Sequence, residues 1–277
     1  MIQIRSPISP ALLSALAFLT VGCSDDREAH SIDAHEIHWG YEGEGGPDYW
    51  ADLKPEFLLC VDGTEQSPVD LTGAVPVESA DLARQLGKSV LTGQQRARVM
   101  DIVDNGHTIQ VTNDIPMSLE IRNTLYELVQ YHFHAPSEHM IAGMHAPLEV
   151  HFVHKSATGD LAVVGILVDE GAYDAIWEPV LANLPDDTSD ERHIEGLDLD
   201  MDEVRPLPQR YYVYDGSLTT PPCSEGVQWI VMAEKRQISS EQMDAIVSHL
   251  HENNRPVQPH GGREIGLVSN GESPADD

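Results

Sequence analysis

Basic side chains are scarce in this chain. Lys and Arg number 16 against 46 Asp and Glu, a formal net charge of −30 over 277 residues. A surface of that sign repels nucleic-acid phosphates and anionic headgroups, which excludes electrostatic docking on either. Cysteine is nearly absent: three residues are too few for a Cys-rich zinc module or a disulfide-dense scaffold. No H-E-x-x-H run occurs, so the helical zinc-hydrolase arrangement with its adjacent carboxylate base is excluded. The apolar stretch Ala11 to Val21 falls short of the ~20 residues that a membrane-spanning helix needs. There is no internal repeat and no low-complexity linker, so the chain reads as one large domain.

Two short runs stand out, Gln130-Tyr131-His132-Phe133-His134 and Glu149-Val150-His151-Phe152-Val153-His154. In a β-strand, side chains alternate between faces. Gln130, His132 and His134 then share one face, while Tyr131 and Phe133 point into apolar packing. On the second strand Glu149, His151 and Val153 share a face, opposite Val150 and Phe152. If the strands are neighbours, three imidazoles converge. Three histidines with an open fourth position form the ligand set of a catalytic zinc. Gln130 and Glu149 are placed to accept the remaining ring N–H groups, fixing tautomer and orientation. A single H-x-H is weak evidence, since lone histidines are ordinary core or surface residues. A third histidine with acceptors at matching parity is hard to derive from packing alone.

These residues bring a family into view. Gln130 to His139 and Pro147 to His154 closely resemble the core of the α-class carbonic anhydrases. The likeness runs on, in the family's order, through His38-Trp39-Gly40-Tyr41, Gln66-Ser67-Pro68-Val69-Asp70, Asn105-Gly106-His107, Gly216 to Pro222, Trp229-Ile230-Val231 and Asn254-Arg255-Pro256. It spans about residues 36–268. The resemblance implies a mainly β fold: a single domain built on a large twisted, mostly antiparallel β-sheet with a few peripheral helices. It also implies Zn2+ held by His132, His134 and His151, and reversible hydration of carbon dioxide to bicarbonate by a zinc-bound hydroxide. His107 then matches the proton shuttle, a role suited to a side chain whose ordinary pKa is near 6.5. Asn105 matches a polar residue beside the water chain. Glu138 is expected to accept the hydroxyl proton of Thr219, leaving the Thr219 oxygen as an acceptor only. Val153, Val163, Leu218 and Trp229 are expected to form the apolar wall for carbon dioxide, with Thr220 at the entrance and Tyr41 lining the cone. Inhibition by anions and sulfonamides is implied as well, and bacterial members of the family are often homodimers. Ala135 and Ala146 depart from the family pattern, off the metal face. The alternative reading is a catalytically silent, carbonic anhydrase-like binding module, a class in which zinc histidines have been lost; all three stand here.

Residues 1–22 are expected to be a signal peptide. Leu19-Thr20-Val21-Gly22-Cys23 resembles a lipoprotein cleavage box, with Thr20 where leucine is usual, and Cys23 would carry the lipid. An ordinary secretory leader cut further on is the other reading; both export the protein to a periplasmic or cell-envelope location. Residues 23–35 read as an acidic tether and 269–277 as a polar tail. With Cys23 lipidated, Cys60 and Cys223 remain as a pair in an oxidising compartment; the resemblance supports a disulfide between them, and two free buried thiols are the alternative. Residues 74–100 read as variable surface structure. Leu161 to Val168 reads as a buried central strand. Asp174 to Leu184 reads as helical, ended by Pro185. Ser239 to Asn253 is the clearest helix, with a Ser239–Gln242 capping box and a stripe of Met243, Ile246, Val247 and Leu250.

Overall fold

The two histidine runs are strands, and they lie side by side. β5 (Thr124–His134) pairs antiparallel with β8 (Leu148–Ser156), with His132 directly opposite His151 and His134 opposite Glu149. The computed structural model describes residues 38–77, 96–115, 117–188, 190–205 and 210–269. The expected leader, the acidic tether and Cys23 lie outside these residues, as does the tail beyond Ser269.

β8 pairs on its other edge with β9 (Leu161–Glu170), which places His151 opposite Gly165 and Val153 opposite Val163. Around this centre a twelve-stranded sheet runs in the order β1 (Val75–Val77), β14 (Gly266–Ser269), β11 (Arg210–Ser217), β12 (Glu225–Met232), β9, β8, β5, β3 (Ile109–Asn113), β2 (Arg96–Asp104) and β10 (Glu191–Asp200). The short strands β6 (Met140–Ile141) and β7 (Met144–His145) pair with each other in a separate sheet. β4 (Ser118–Ile121) adds to β5, and β13 (Arg236–Ile238) adds to β9. Most pairings are antiparallel; β12 and β13 run parallel to β9, and β1 runs parallel to β14. The mainly β architecture expected from the sequence is the one observed.

Strand alternation sorts the interior into two cores. Tyr131, Phe133, Val150, Phe152, Val164 and Ile166 belong to the larger one, which Trp177 closes with edge contacts to Tyr131 and Phe133. Val163, Leu167, Trp229 and Val231 lie in a second core on the histidine face, with Val153 and Leu218 packed against it. β9 is buried along nearly all its length, as its uninterrupted apolar sequence requires. A third, smaller cluster caps one end: Trp50 and the Cys60–Cys223 disulfide, with Trp39, Tyr41, Leu53 and Phe57 packed on them.

Three local readings are corrected. Residues 96–100 are not variable surface: they open β2, burying Ala97 and Met100. The segment after Asp174 is helical only over Ala175–Leu181, a 3-10 turn followed by one α-turn. The last helix keeps its capping box but runs only over Ser240–Val247. Its end tightens, His249 N–H bonding to Ile246 O and Leu250 N–H to Val247 O, so the chain leaves the helical path early. That departure delivers Asn253 to the neighbourhood of β5.

Candidate active site

The three imidazoles gather because β5 and β8 bring their inward parities together. Ring centroids lie 4.9 Å apart for His132–His134, 5.3 Å for His132–His151 and 4.5 Å for His134–His151. One nitrogen of each ring lies within 4.8 Å of the others. The other nitrogens are engaged. His132 Nδ1 donates to Gln130 Oε1 at 2.8 Å, and His134 Nδ1 donates to the Asn253 carbonyl at 2.7 Å. His151 Nε2 lies 2.9 Å from Glu149 Oε1, off the line of an ordinary ring N–H bond. This occupancy leaves Nε2 of His132, Nε2 of His134 and Nδ1 of His151 to face one another. Burial holds all three rings below the ordinary histidine pKa, that of His134 down to about 4, so they are neutral and carry lone pairs at neutral pH. His134 Nε2 is fully buried with no hydrogen-bond partner. A buried lone pair with no donor, among neutral imidazoles held from behind, is the donor set that zinc takes.

Behind the rings lies a network that the sequence reading only partly anticipated. Glu149 is wholly buried, and its Oε2 accepts the backbone N–H groups of Glu138 and His139 at 2.9 Å each. Its Oε1 accepts His139 Nδ1–H at 2.8 Å. Burial alone would raise the Glu149 pKa, but His139 and His151 pull it well below the ordinary carboxylate range. His139 Nε2 is 2.6 Å from the Tyr214 hydroxyl, which reaches Ser67 Oγ at 3.0 Å. Gly165 belongs to this arrangement: a Cβ there would sit 2.8 Å from Glu149 Oε1. A glycine inside an otherwise apolar strand was the available sign of that close approach.

Glu138 is also fully buried. Its Oε1 accepts the Arg255 backbone N–H at 2.8 Å, and its Oε2 lies 3.7 Å from His134 Nε2 and 3.8 Å from His151 Nδ1. Burial raises its pKa to about 7, against the opposing pull of His151, the Arg255 N–H and the Thr219 side chain. Oε2 makes no hydrogen bond of ordinary geometry, yet Thr219 lies close enough to favour the ionised form. Arg255 is pinned in turn, its guanidinium donating to Gln66 Oε1, Ser67 O and Cys60 O and stacking over Trp50. Trp229 lies 4.9 Å from the His151 ring and donates to Ser217 O. Val153, Val163 and Leu218 share its core. Thr219 is buried and Thr220 partly exposed on the loop beyond Leu218.

His107 and Asn105 sit apart from the triad, on the exposed turn between β2 and β3. A cleft of about 590 Å³ opens there, lined by Trp39, Tyr41, His107, His249 and Asn253 among others and by none of the three triad histidines. His107 stacks flat on Trp39 at 3.7 Å and lies 5.1 Å from His38. Partial burial and then His38 lower its pKa, while Asp104 opposes them. The Asn105 side-chain oxygen accepts the N–H groups of His107 and Thr108, so it holds the turn. Tyr41 packs edge-on against Trp39 and Trp50, and burial followed by the charge of Glu138 raises its pKa well above the ordinary range. Asn253 ties the turn to the triad: its side chain accepts Ala135 N–H at 2.8 Å and donates to Phe133 O and His107 O.

The Cys60–Cys223 disulfide is present, with Cα atoms 5.1 Å apart. It closes a loop across 163 residues of sequence, a constraint worth about 4–5 kcal/mol by loop entropy. It also braces the Thr219–Pro222 loop, since Gln66 Nε2 donates to Cys223 O.

Comparison with known proteins agrees with this geometry. The eukaryotic-type carbonic anhydrase family profile matches residues 45–268. A carbonic anhydrase of Pectobacterium atrosepticum is 40% identical over 234 residues, covering 83% of this chain and 90% of that one. The solved α-carbonic anhydrase of Thermovibrio ammonificans, in complex with sulfanilamide, superposes with a TM-score of 0.72 at 37% identity, covering 83% of this chain and 98% of its own. Dioscorin complexed with ascorbate superposes with a TM-score of 0.71 at 29% identity over 86% of this chain and all of its own. With the paired histidine strands, their buried acceptors and a match along most of its length, the chain belongs to the α, or eukaryotic-type, carbonic anhydrase family and is a carbonic anhydrase.

Proposed function

We propose that His132, His134 and His151 hold a zinc ion through Nε2, Nε2 and Nδ1, and that the chain hydrates carbon dioxide there with His107 as proton shuttle. The observation carrying this reading is the occupancy of the opposite ring nitrogens by Gln130, Asn253 and Glu149, which leaves one lone pair per ring turned inward. When bound, zinc supplies the Lewis acidity that brings the pKa of water to about 7.

The remaining work falls to the chain itself. Val153, Val163, Leu218 and Trp229 offer carbon dioxide an apolar surface without competing hydrogen bonds. A Thr219 hydroxyl turned to donate to Glu138, which it lies beside, would present its oxygen as an acceptor and so select a reacting oxygen that still carries a proton. Thr220 shapes the rim. The proton released by hydration passes to the His107 ring, whose pKa partial burial and His38 lower from the ordinary histidine value, and then to buffer. Sulfonamide and anion inhibition follow from the same donor set, in keeping with the sulfanilamide bound to the Thermovibrio relative. Export fits the disulfide, and among the described residues no helix is long and apolar enough to cross a membrane. Lipid attachment at Cys23 rests on the sequence box alone.

The test is stopped-flow carbon dioxide hydration by the mature protein, before and after chelation and after zinc return. Activity lost with zinc and recovered with it supports the reading. Full zinc occupancy without hydration would leave the binding-module alternative. His134→Ala is expected to lose zinc and activity together, and activity retained at one zinc per chain would refute the ligand set.

A further inference from the structure

The cleft that holds His107 contains more imidazole than a single proton carrier needs. His38, His249 and His251 line it as well, with Glu42, Asp104 and Glu252 as its carboxylates. Of these titratable side chains, His38 is the one stacked on the His107 ring. The two ring centroids lie 5.1 Å apart with their planes 13° from parallel. Trp39 covers His107 at 3.7 Å and 7°, and the His38 plane is 20° from that of Trp39. The three rings therefore share one orientation.

Hydrogen bonds hold this arrangement on both sides. The His107 backbone N–H donates to Asn105 Oδ1, and its carbonyl accepts from Asn253 Nδ2, each at 3.0 Å, so the backbone that carries the ring is fixed. His38 Nδ1 lies 2.8 Å from Trp39 O. A carbonyl only accepts, so Nδ1 carries the hydrogen and Nε2 of the neutral ring is a bare lone pair. His38 is exposed where His107 is partly buried. Its proton-accepting atom thus belongs to the ring that meets bulk solvent.

Packing alone does not call for imidazole at position 38. An apolar aromatic ring would stack in the same place; what imidazole adds is a lone pair that titrates near neutrality. Two such rings at this separation repel when both are charged, so a proton on one disfavours a proton on the other. The electrostatics agree: after partial burial, His38 is the next cause that lowers the His107 pKa, with Asp104 opposing them.

We propose that His38 and His107 form a two-imidazole relay, in which His107 takes the proton from the catalytic centre and passes it to His38 Nε2, which releases it to buffer. The relay rests on His107 being the shuttle. In the transfer an N–H bond of the His107 imidazolium breaks and an N–H bond forms at His38 Nε2; cleft water carries the single proton between them, and no electrons change hands. The carboxylates of Glu42, Asp104 and Glu252 favour one cation in the cleft, and repulsion between the rings disfavours two. His38 acts through His107, as a positioning residue for the proton.

The experiment titrates the imidazole ring protons of the zinc holoenzyme by NMR, in wild type and in His38→Phe. Phenylalanine keeps a flat ring beside His107 and removes the charge. The His107 midpoint is expected to rise by about 0.5–1 pH unit, from the lost repulsion between cations 5.1 Å apart in a water-filled cleft. An unmoved midpoint would overturn the pair. Turnover in dilute buffer is expected to fall about 3–10-fold, the factor by which such a rise slows proton release. That loss should vanish in a His107→Ala background, where His38 has no donor; an equal loss there would overturn the relay. Turnover lost in His107→Ala but intact in His38→Phe overturns the relay alone. Intact turnover in His107→Ala overturns the shuttle reading, and the relay with it.

Discussion

Asn253→Ala tests whether the turn carrying His107 and the strand carrying His134 are held by one side chain. Asn253 is 2% exposed and makes three side-chain hydrogen bonds. Their losses are unequal. Phe133 O keeps a second donor, Thr108 Oγ1 at 2.6 Å, and His107 O is partly buried, within reach of water. Ala135 N–H is the group left buried and alone, and orphaning a buried donor costs about 1–3 kcal/mol. Adding about 0.5–1 kcal/mol for each of the other two bonds gives a destabilisation of about 3 kcal/mol. That corresponds to a thermal midpoint lower by about 6–12 °C for a domain of this size. The His134 ring is held by the Asn253 backbone carbonyl, which the substitution keeps, so zinc affinity should change by less than tenfold. Urea unfolding and zinc competition with a chelator measure the two quantities. A loss below 1 kcal/mol would show that Ala135 N–H finds another partner and would refute the reasoning. A hundredfold loss of zinc affinity at full stability would show that the side chain, and not the carbonyl, orients His134.

Three further outcomes follow from the same geometry. His107→Ala should slow turnover and be rescued by imidazole added to the assay; absence of rescue would remove the shuttle role. Gly165→Ala, which sets a Cβ 2.8 Å from Glu149 Oε1, should weaken zinc binding about 10–100-fold by displacing the acceptor behind His151, and an unchanged zinc affinity would count against that placement. His154 has a folded pKa of about 3 against an unfolded value near 6.5, so between these values the unfolded chain binds the extra proton. Its contribution to stability is complete above about pH 6.5 and falls as pH drops toward 3, by about 2 kcal/mol at pH 5. Urea unfolding at pH 7.5 and 5.0 should show a steeper acid loss in wild type than in His154→Gln, and parallel losses would refute the assignment.

Much of the site was legible because strand parity is a two-state code. With Gln130, His132 and His134 at alternate positions and Glu149 and His151 likewise, adjacency of the two strands fixed both the three facing histidines and two of the groups behind them. The third acceptor was hidden, because His134 leans on a backbone carbonyl at Asn253, 119 residues away; every residue carries such a group, so none advertises it. The helix before Asn253 was read too long for a related reason. Its apolar stripe continues to Leu250, but tertiary bonds at Asn253 outweigh the propensity that would continue the turn. The strand over 96–104 was missed because its first residues alternate weakly and its partner, β10, is an edge of charged side chains. Trp39 as the partner of His107 could not be read at all, since stacking between residues 68 positions apart leaves no local pattern.

The disulfide also orders events in time. A chain threaded out of a compartment N-terminus first exposes Cys60 long before Cys223, which follows 163 residues later. Throughout that interval Cys60 has no correct partner. Cys223 lies between β11 and β12, whose neighbours in the sheet are β14 and β9. The bridge therefore ties the cap around Trp50 to a loop between two strands that come late in the chain. A thiol at Cys23 would be its one competitor, so alkylating that sulfur early would leave Cys60 with a single possible bond.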